Sequence, residues 1–258
     1  MLYIWLIAKV KVRSEAKIFL KIEPSTLDQC LKELAKEYKH LVGKQMPAEI
    51  ILVGGAAILE NYGFRDMTTD VDAVIEAASA MKDAIRTVGD RLGLPYGWLN
   101  ADFQNTGSYS PRLRQYSTHY RTFSGILEIR TVSAEYLIAM KLRSGRKYKN
   151  DLSDVIGILA EHEKRGSPLT WEQIDRAVRE LYDGWSDFPE DSVRFIQDAL
   201  KDQNYAQAYA AIRAGERSAK ELLVDFQEAY PDTLKQENVN SVLQSLERLK
   251  KKKNDPER

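Results

Sequence analysis

The chain has 258 residues, a length that fits one large domain or two modest ones and is ample for a buried core. Hydrophobic residues make up 43% of it and charged residues 29%, which is the range of globular proteins. Lys and Arg together number 38, as do Asp and Glu, so the formal net charge is zero. This balance excludes a global attraction to nucleic acid or membranes, and a polyanion site is expected to be a local patch.

The single cysteine, Cys30, excludes an intrachain disulfide and gives no sign of an oxidising compartment. No apolar run approaches the ~20 residues that a membrane-spanning helix needs. The apolar segment 2–8 ends at Lys9 and lacks the basic region and the cleavage site of a signal peptide. We therefore expect a cytoplasmic protein without a membrane segment.

The first elements are predicted from hydrophobic periodicity. Alternation within residues 2–22 predicts one or two strands. A helix is expected to open at Pro24-Ser25, with Ser25 and Asp28 as a loose capping box. Apolar residues then recur at helical spacing, at Leu27, Leu31, Leu34, Tyr38 and Leu41.

Strands and helices alternate from residue 48 to residue 131. The predicted strands cover 48–53, 71–75, 116–123 and 126–131, and the helices between them cover 56–62 and 79–92. After residue 132 the pattern is helical, with Ser133 and Thr170 as caps. The predicted helices cover 134–143, 151–163, 171–182, 191–201, 203–214, 217–230 and 238–249, followed by a charged, frayed tail from Lys250.

This order predicts an α+β fold, a mixed β-sheet flanked by helices with an all-helical C-terminal extension. We predict an N-terminal strand extension over 1–24, a sheet-containing domain over 25–165 and a helical region with a charged tail over 166–258.

Asp70 and Asp72 stand at the head of a short apolar strand. Because strand side chains alternate, both carboxylates point to one face, with Cα atoms roughly 6.6 Å apart. This spacing suits one hard cation, or two cations ~3.5–4 Å apart. Mg²⁺ is favoured because it binds a few carboxylates and completes its shell with water and phosphate oxygens. The alternative is a solvent-exposed pair at a strand edge, since Asp-x-Asp often occurs by chance.

Gly54 and Gly55 end the preceding strand and lead into a helix. Glycine lets backbone N–H groups approach an anion with no Cβ in the way, although a tight strand-to-helix turn would use glycine too. The pair is not a P-loop, because no Gly-Lys-Ser/Thr follows, and it lacks the third glycine of a dinucleotide fingerprint.

The combination is more specific than either part. An apolar strand, Gly-Gly, a short helix and then T-x-D-x-D about 15 residues on is the nucleotidyltransferase pattern. Over roughly residues 45–165 the chain resembles the DNA polymerase β-like nucleotidyltransferase superfamily. Residues 46–75 and 133–142 look most similar to bacterial families related to abortive-infection and toxin–antitoxin nucleotidyltransferases. The resemblance makes 25–165 a nucleotidyltransferase-like domain.

The resemblance also implies roles for single positions. Gly54 and Gly55 match the glycine pair that contacts the triphosphate, and Asp70 and Asp72 match the metal-binding carboxylates. Lys141, on a helix after the last strand, matches a lysine directed at the nucleotide phosphates.

Two aspartates belong to the same segment as Lys141. Either Asp151 or Asp154 matches a later acidic residue of the similar families, and the two share a helix face. Asp151 is alternatively a first-turn acid favoured by the helix dipole. Lys141 lies in an apolar run, so its ammonium either reaches water or neutralises phosphate or one of these aspartates.

Three more residues are candidates. Arg65 precedes the T-T-D segment and can reach phosphate or pair with a nearby carboxylate. Thr69 can support the geometry of Asp70 by a hydrogen bond. Glu128, on the strand over 126–131, is the natural candidate for the third catalytic carboxylate, which the superfamily carries on a later strand.

We therefore predict a metal-dependent nucleotidyltransferase that moves a nucleoside monophosphate from an NTP to an acceptor, with Mg²⁺ or Mn²⁺ as cofactor. The acceptor is an RNA or tRNA end, a protein or a small molecule, and the resemblance implies an antitoxin-like partner. A degenerate fold that binds nucleotide, nucleic acid or protein without chemistry is the alternative, because Gly55 stands where the superfamily commonly has serine. A third possibility is a helical adaptor in which residues 166–258 dock a partner or a second copy.

Overall fold

The structure, a computed structural model, describes residues 22–62, 64, 68, 70–235 and 237–254. The strands predicted within 2–22 lie outside these residues except for Ile22, whose backbone pairs with that of Thr68 in an isolated bridge. The described residues form two compact units. The larger unit contains those of 22–145 and 154–205, and the smaller unit contains 146–153 and those of 206–254.

A mixed β-sheet is the centre of the larger unit. Its strands are β1 (Ala48–Leu52), β2 (Val71–Glu76), β3 (Leu99–Asn100), β4 (Ser117–Phe123) and β5 (Leu127–Val132). They lie in the order β3-β2-β1-β5-β4. β2 runs antiparallel to β1, whereas β5 runs parallel to it. The start of β2 and the end of β5 therefore lie at the edge of the sheet where β1 ends.

Both faces of the central strand are covered. Ile50 and Ile51 are fully buried and point to opposite faces, because strand side chains alternate. The helices of the larger unit are α1 (Pro24–Val42), α2 (Gly54–Asn61), α3 (Ala80–Leu92), α4 (Ala134–Ser144), α6 (Trp171–Tyr182) and α7 (Glu190–Asp202), together with residues 154–164 of α5 (Asp151–Lys164). This arrangement confirms the predicted α+β class.

The caps of these helices agree only in part with the sequence. Thr170 and Gln173 form a reciprocal capping box at the start of α6, as the predicted cap at Thr170 requires. The capping box predicted from Ser25 and Asp28 is wrong: α1 already begins at Pro24, its N-cap is Glu23, and no side chain caps it. The Asp28 carboxylate instead binds Arg121 on β4.

The smaller unit is a pair of helices, α8 (Tyr205–Ala229) and α9 (Val239–Asn254), with the segment 146–153. The predicted break between 214 and 217 is wrong, because α8 runs through it without interruption. Lys250, predicted to begin a frayed tail, lies within α9. Leu223 and Leu243 are buried in the cluster between the two helices, and Tyr148 packs against it.

Glu216, in this part of α8, binds the first turn of α5. Its buried carboxylate accepts hydrogen bonds from the backbone N–H groups of Leu152 and Ser153 at 3.1 Å each, and from the Ser153 hydroxyl at 2.6 Å. A carboxylate at the N-terminus of a helix satisfies donors that have no partner within that helix. Among the helices of the described chain, none combines the length and the apolar character needed to cross a membrane.

Candidate functional site

The paired glycines lie where β1 gives way to α2. Gly54 is the first helical residue, with a left-handed φ of +55°, a conformation that glycine adopts without the steric cost of a Cβ. The N-cap of α2 is Val53, and no side chain caps the first turn. Helical N–H groups in such a turn have no partner inside the helix and are suited to bind an anion.

Asp72 lies directly beside this turn. Its backbone oxygen accepts a hydrogen bond from Val53 at 3.1 Å, because antiparallel pairing brings the start of β2 to the end of β1. A Cβ added to Gly54 would lie 3.6 Å from Asp72 Oδ2. The structure therefore brings the predicted phosphate-binding turn and a predicted metal-binding carboxylate into contact. Asp70 precedes β2 and is half-buried.

Thr68 holds the chain in front of Asp70. Its hydroxyl donates to the Asp70 backbone oxygen at 2.8 Å, and its own backbone exchanges two 3.0 Å hydrogen bonds with Ile22. The sequence predicts a similar supporting role for Thr69, which stays a prediction. Both threonines stand before Asp70, and only Thr68 lies within the described residues. Arg65, which is predicted to reach phosphate, and Thr69 lie outside them.

Lys141 and Asp154 form an ion pair of 2.8 Å between α4 and α5. Their side chains are only 12% and 5% exposed. Of the two aspartates that the sequence left open, Asp154 is thus the one that meets Lys141. Asp151 is fully buried and is bound by Arg146, whose Nε lies 2.7 Å from Asp151 Oδ2.

Glu128 is separated from Asp72 by the register of the sheet. It lies opposite Glu49 on β1, and Glu49 lies opposite Glu76, at the end of β2 away from Asp72. Four residues of strand span roughly 13 Å. The structure therefore does not bring Glu128 to the predicted metal-binding carboxylates, and its nearest charged partner is Arg130, 2.7 Å away.

A cavity of about 360 Å³ lies at that opposite edge, lined in part by Glu49, Glu76, Glu128 and Arg114. Arg114 bridges two of the carboxylates, with Nε 2.9 Å from Glu49 and Nη1 3.2 Å from Glu76. The hydrogen bond to Glu49 raises the pKa of the Arg114 guanidinium. The cavity lining holds three carboxylates and one guanidinium, and the cavity is not part of the Gly54–Asp72 site.

The donor set at Asp70 and Asp72 fits a cation that arrives with its substrate. In the described part of the chain, no group of three or more His, Cys, Asp or Glu side chains is arranged to hold a metal. Mg²⁺ commonly uses one or two carboxylates and takes its other ligands from substrate phosphates and water. Asp72 Oδ2 lies 3.6 Å from the position that a Cβ on Gly54 would take, so glycine keeps this approach to the turn free of a side chain.

Comparison with known proteins finds one matching family. Residues 29–165, more than half of the chain, match a protein family described as nucleotidyltransferase of unknown function (DUF6036). The matched region contains Gly54, Asp72, Lys141 and Asp154. No curated protein and no solved structure matches the chain.

Proposed function

Because the chain belongs to the DUF6036 family of nucleotidyltransferases of unknown function, we propose that it transfers a nucleoside monophosphate from an NTP to an acceptor with Mg²⁺ or Mn²⁺. The observation that carries the proposal is the approach of the Asp72 carboxylate to the first turn of α2 at Gly54. A triphosphate at that turn would meet backbone N–H groups and a carboxylate-bound cation together.

Asp70 and Asp72 are the residues that would hold the cation. When bound, it neutralises charge on the triphosphate and on the departing pyrophosphate. Gly54 and Gly55 keep Cβ atoms away from the phosphates, and the uncapped N–H groups of α2 bind their oxygens. The chain's own part in transfer is thus to orient the phosphates against the two carboxylates.

Lys141 is the positively charged side chain of the proposed nucleotide site. It is carried by α4, which follows β5 at the sheet edge where α2 also begins, and α2 and α4 pack against each other. Asp154 holds the ammonium within the fold. We propose that Lys141 directs its charge to the nucleotide phosphates and that Asp154 sets its position.

The proposal allows three chemical classes of acceptor. An RNA end such as that of tRNA, a protein hydroxyl and a small molecule are the three classes, and a toxin–antitoxin role with an antitoxin-like protein partner is implied by the resemblance to those families. The relation to the DNA polymerase β-like superfamily and the cytoplasmic location stay predictions from the sequence.

The test is transfer from labelled NTPs. Asp70→Asn and Asp72→Asn are each expected to lower the rate about 10³-fold, because losing a carboxylate ligand of a catalytic cation removes several kcal/mol of charge stabilisation. Chelation of the metal should stop the reaction, and Mn²⁺ should restore it. The matched control is Asp90→Asn, an exposed aspartate on α3, which should leave the rate unchanged.

Wild-type protein that transfers nothing from any of the four NTPs, with Mg²⁺ or Mn²⁺ and with RNA and protein acceptors, would contradict the proposal. The second candidate is then a binding module without chemistry. It is favoured by the distance of Glu128 from Asp72 and by glycine at position 55. Calorimetry separates the two: nucleotide binding that does not depend on a divalent cation supports the binding module.

A further inference from the structure

The chain that follows α2 is docked along α5. The Tyr62 hydroxyl lies 3.2 Å from His162 Nε2, and the backbone oxygen of Asn61 accepts a hydrogen bond from Arg165 at 3.2 Å. The Arg165 guanidinium also lies over the Tyr62 ring, 5.4 Å from its centre. Phe64 continues this contact, with its ring centre 5.9 Å from that of Tyr62.

Phe64 meets α5 at a glycine. A Cβ added to Gly157 would lie 2.5, 2.6 and 2.7 Å from three carbon atoms of the Phe64 ring. Carbon atoms attract each other best near 3.5–4.0 Å, so side chains larger than glycine overlap the ring. Gly157 is buried in the middle of α5, where glycine is intrinsically unfavourable relative to alanine. The Phe64 ring gives a packing reason for glycine at this position.

This contact joins two parts of the proposed site. Phe64 belongs to the segment that leads to Asp70 and Asp72, and Gly157 lies three residues after Asp154, on the same side of α5. We propose that Gly157 is a positioning residue for nucleotidyl transfer. It forms the slot that seats Phe64 and thereby sets the two metal-binding aspartates relative to the Lys141–Asp154 pair. The inference rests on the proposed function.

Gly157→Ala separates this role from the stability of the helix. Alanine favours α5 itself, but its Cβ displaces the Phe64 ring and the segment behind it. We expect kcat to fall roughly 100-fold, the effect of a misplacement of about 1 Å, with KM for the NTP changed far less. The matched control is Gly215→Ala, a glycine within α8 whose added Cβ meets nothing within 4 Å; it should leave kcat unchanged.

The partner substitution identifies the contact. Phe64→Ala alone should lower kcat because the segment loses its seat. Adding Gly157→Ala to Phe64→Ala should lower it no further, because the overlapping ring is gone. If the two effects multiply as independent changes do, the slot is not the cause and the inference is overturned.

Amide hydrogen exchange tests the inference independently of the proposed activity. In Gly157→Ala, amide hydrogen exchange should accelerate in the peptide 64–72 and stay unchanged in α3. If the wild type transfers nothing under all the conditions above, the proposed function fails, and with it the catalytic part of the inference. If the wild type is active and Gly157→Ala changes neither kcat nor exchange, the inference alone is overturned.

Discussion

At the scale of single residues, the ion pair of Lys141 and Asp154 identifies a partner of the Lys141 ammonium that the sequence alone leaves open. Their charges lie 2.8 Å apart and are largely withdrawn from water. Removing two charges from water is costly, and their attraction offsets this cost only when both are present with good geometry. Such a pair is expected to couple strongly, whereas an ion pair on the surface contributes little.

We predict that Asp154→Asn lowers the free energy of unfolding by about 3 kcal/mol, because the Lys141 ammonium stays buried without its counter-charge. In a protein that already carries Lys141→Met, adding Asp154→Asn should lower the free energy of unfolding by clearly less. Urea unfolding of both single variants and the double variant gives the coupling energy. The control pair is Arg194 and Glu190, exposed to 68% and 90%, whose coupling should stay below about 1 kcal/mol. Equal coupling in the two pairs would contradict the prediction.

Candidate site residues can be predicted from the sequence where their role depends on neighbours along the chain. Gly54 and Asp72 were found as candidates because a strand, a turn and a second strand follow one another within a short segment. The Phe64–Gly157 contact was not found, since the two residues are distant along the chain and neither belongs to a chemical motif. Only the packed structure shows that a ring fills the space of the missing Cβ.

At the scale of elements, α2 carries an unfavourable carboxylate at its end. Glu60 lies in the last turn, where the helix dipole disfavours an anion. Its Oε1 is buried and makes no hydrogen bond within the described part of the chain. Burial raises the pKa of the Glu60 carboxyl, against the opposing effect of the Tyr120 hydroxyl. The folded state therefore binds this proton more tightly than the unfolded state does.

With a raised pKa in the folded state, stability is fully present below the unfolded pKa of about 4.3 and is lost as the pH rises through the folded value. We predict that Glu60→Gln is more stable than the wild type at pH 7, with the difference shrinking as the pH falls toward 4. Urea unfolding across this range measures it.

Glu33→Gln is the control of opposite sign. A hydrogen bond from Lys36 lowers the pKa of the Glu33 carboxyl, so its contribution is present above the unfolded pKa and lost as the pH falls through the folded one. This variant should be slightly less stable than the wild type at pH 7. Stabilisation by both substitutions, or by neither, would contradict the assignment of Glu60.

Elements were predictable where periodicity alone defines them, and register was not. Strands β1, β2, β4 and β5 and most helices agree with the sequence prediction within a few residues because alternation and helical spacing are local patterns, whereas the two-residue strand β3 is not predicted. Glu128 shows the limit: its strand was right, but the pairing of Glu128 with Glu49 and of Glu49 with Glu76 is a relation between strands. The continuous helix α8 shows another, since the break predicted between residues 214 and 217 does not occur.

At the scale of the whole chain, α6 and α7 lie in the larger unit together with the sheet. The apolar face of α6, which includes Ile174, Val178 and Leu181, is buried, and α6 packs against α4. The hydroxyl of Tyr182 donates to the Ser108 backbone oxygen at 2.6 Å. These contacts make α6 part of the core that supports Lys141, on the far side of the boundary predicted at residue 165.

Two truncations test this organisation. A chain of residues 1–165 lacks α6, which exposes its binding face on α4; burying each large apolar side chain contributes about 1.5–3 kcal/mol, and a whole domain is stable by only about 5–15 kcal/mol. We predict that 1–165 loses cooperative thermal unfolding. A chain of residues 1–205 retains α6 and α7 and should unfold cooperatively, because the contacts of the larger unit are kept.

The second truncation also changes the segment 146–153. It removes Glu216, so the N–H groups of Leu152 and Ser153 lose their acceptor, and Tyr148 loses the apolar cluster of α8 and α9. Hydrogen exchange in 146–153 should therefore accelerate in 1–205, while exchange in α6 stays slow. Circular dichroism on heating and exchange on both chains are the measurements. Cooperative unfolding of 1–165 like that of the full chain would show that α6 is dispensable to the core and would support the predicted boundary at residue 165.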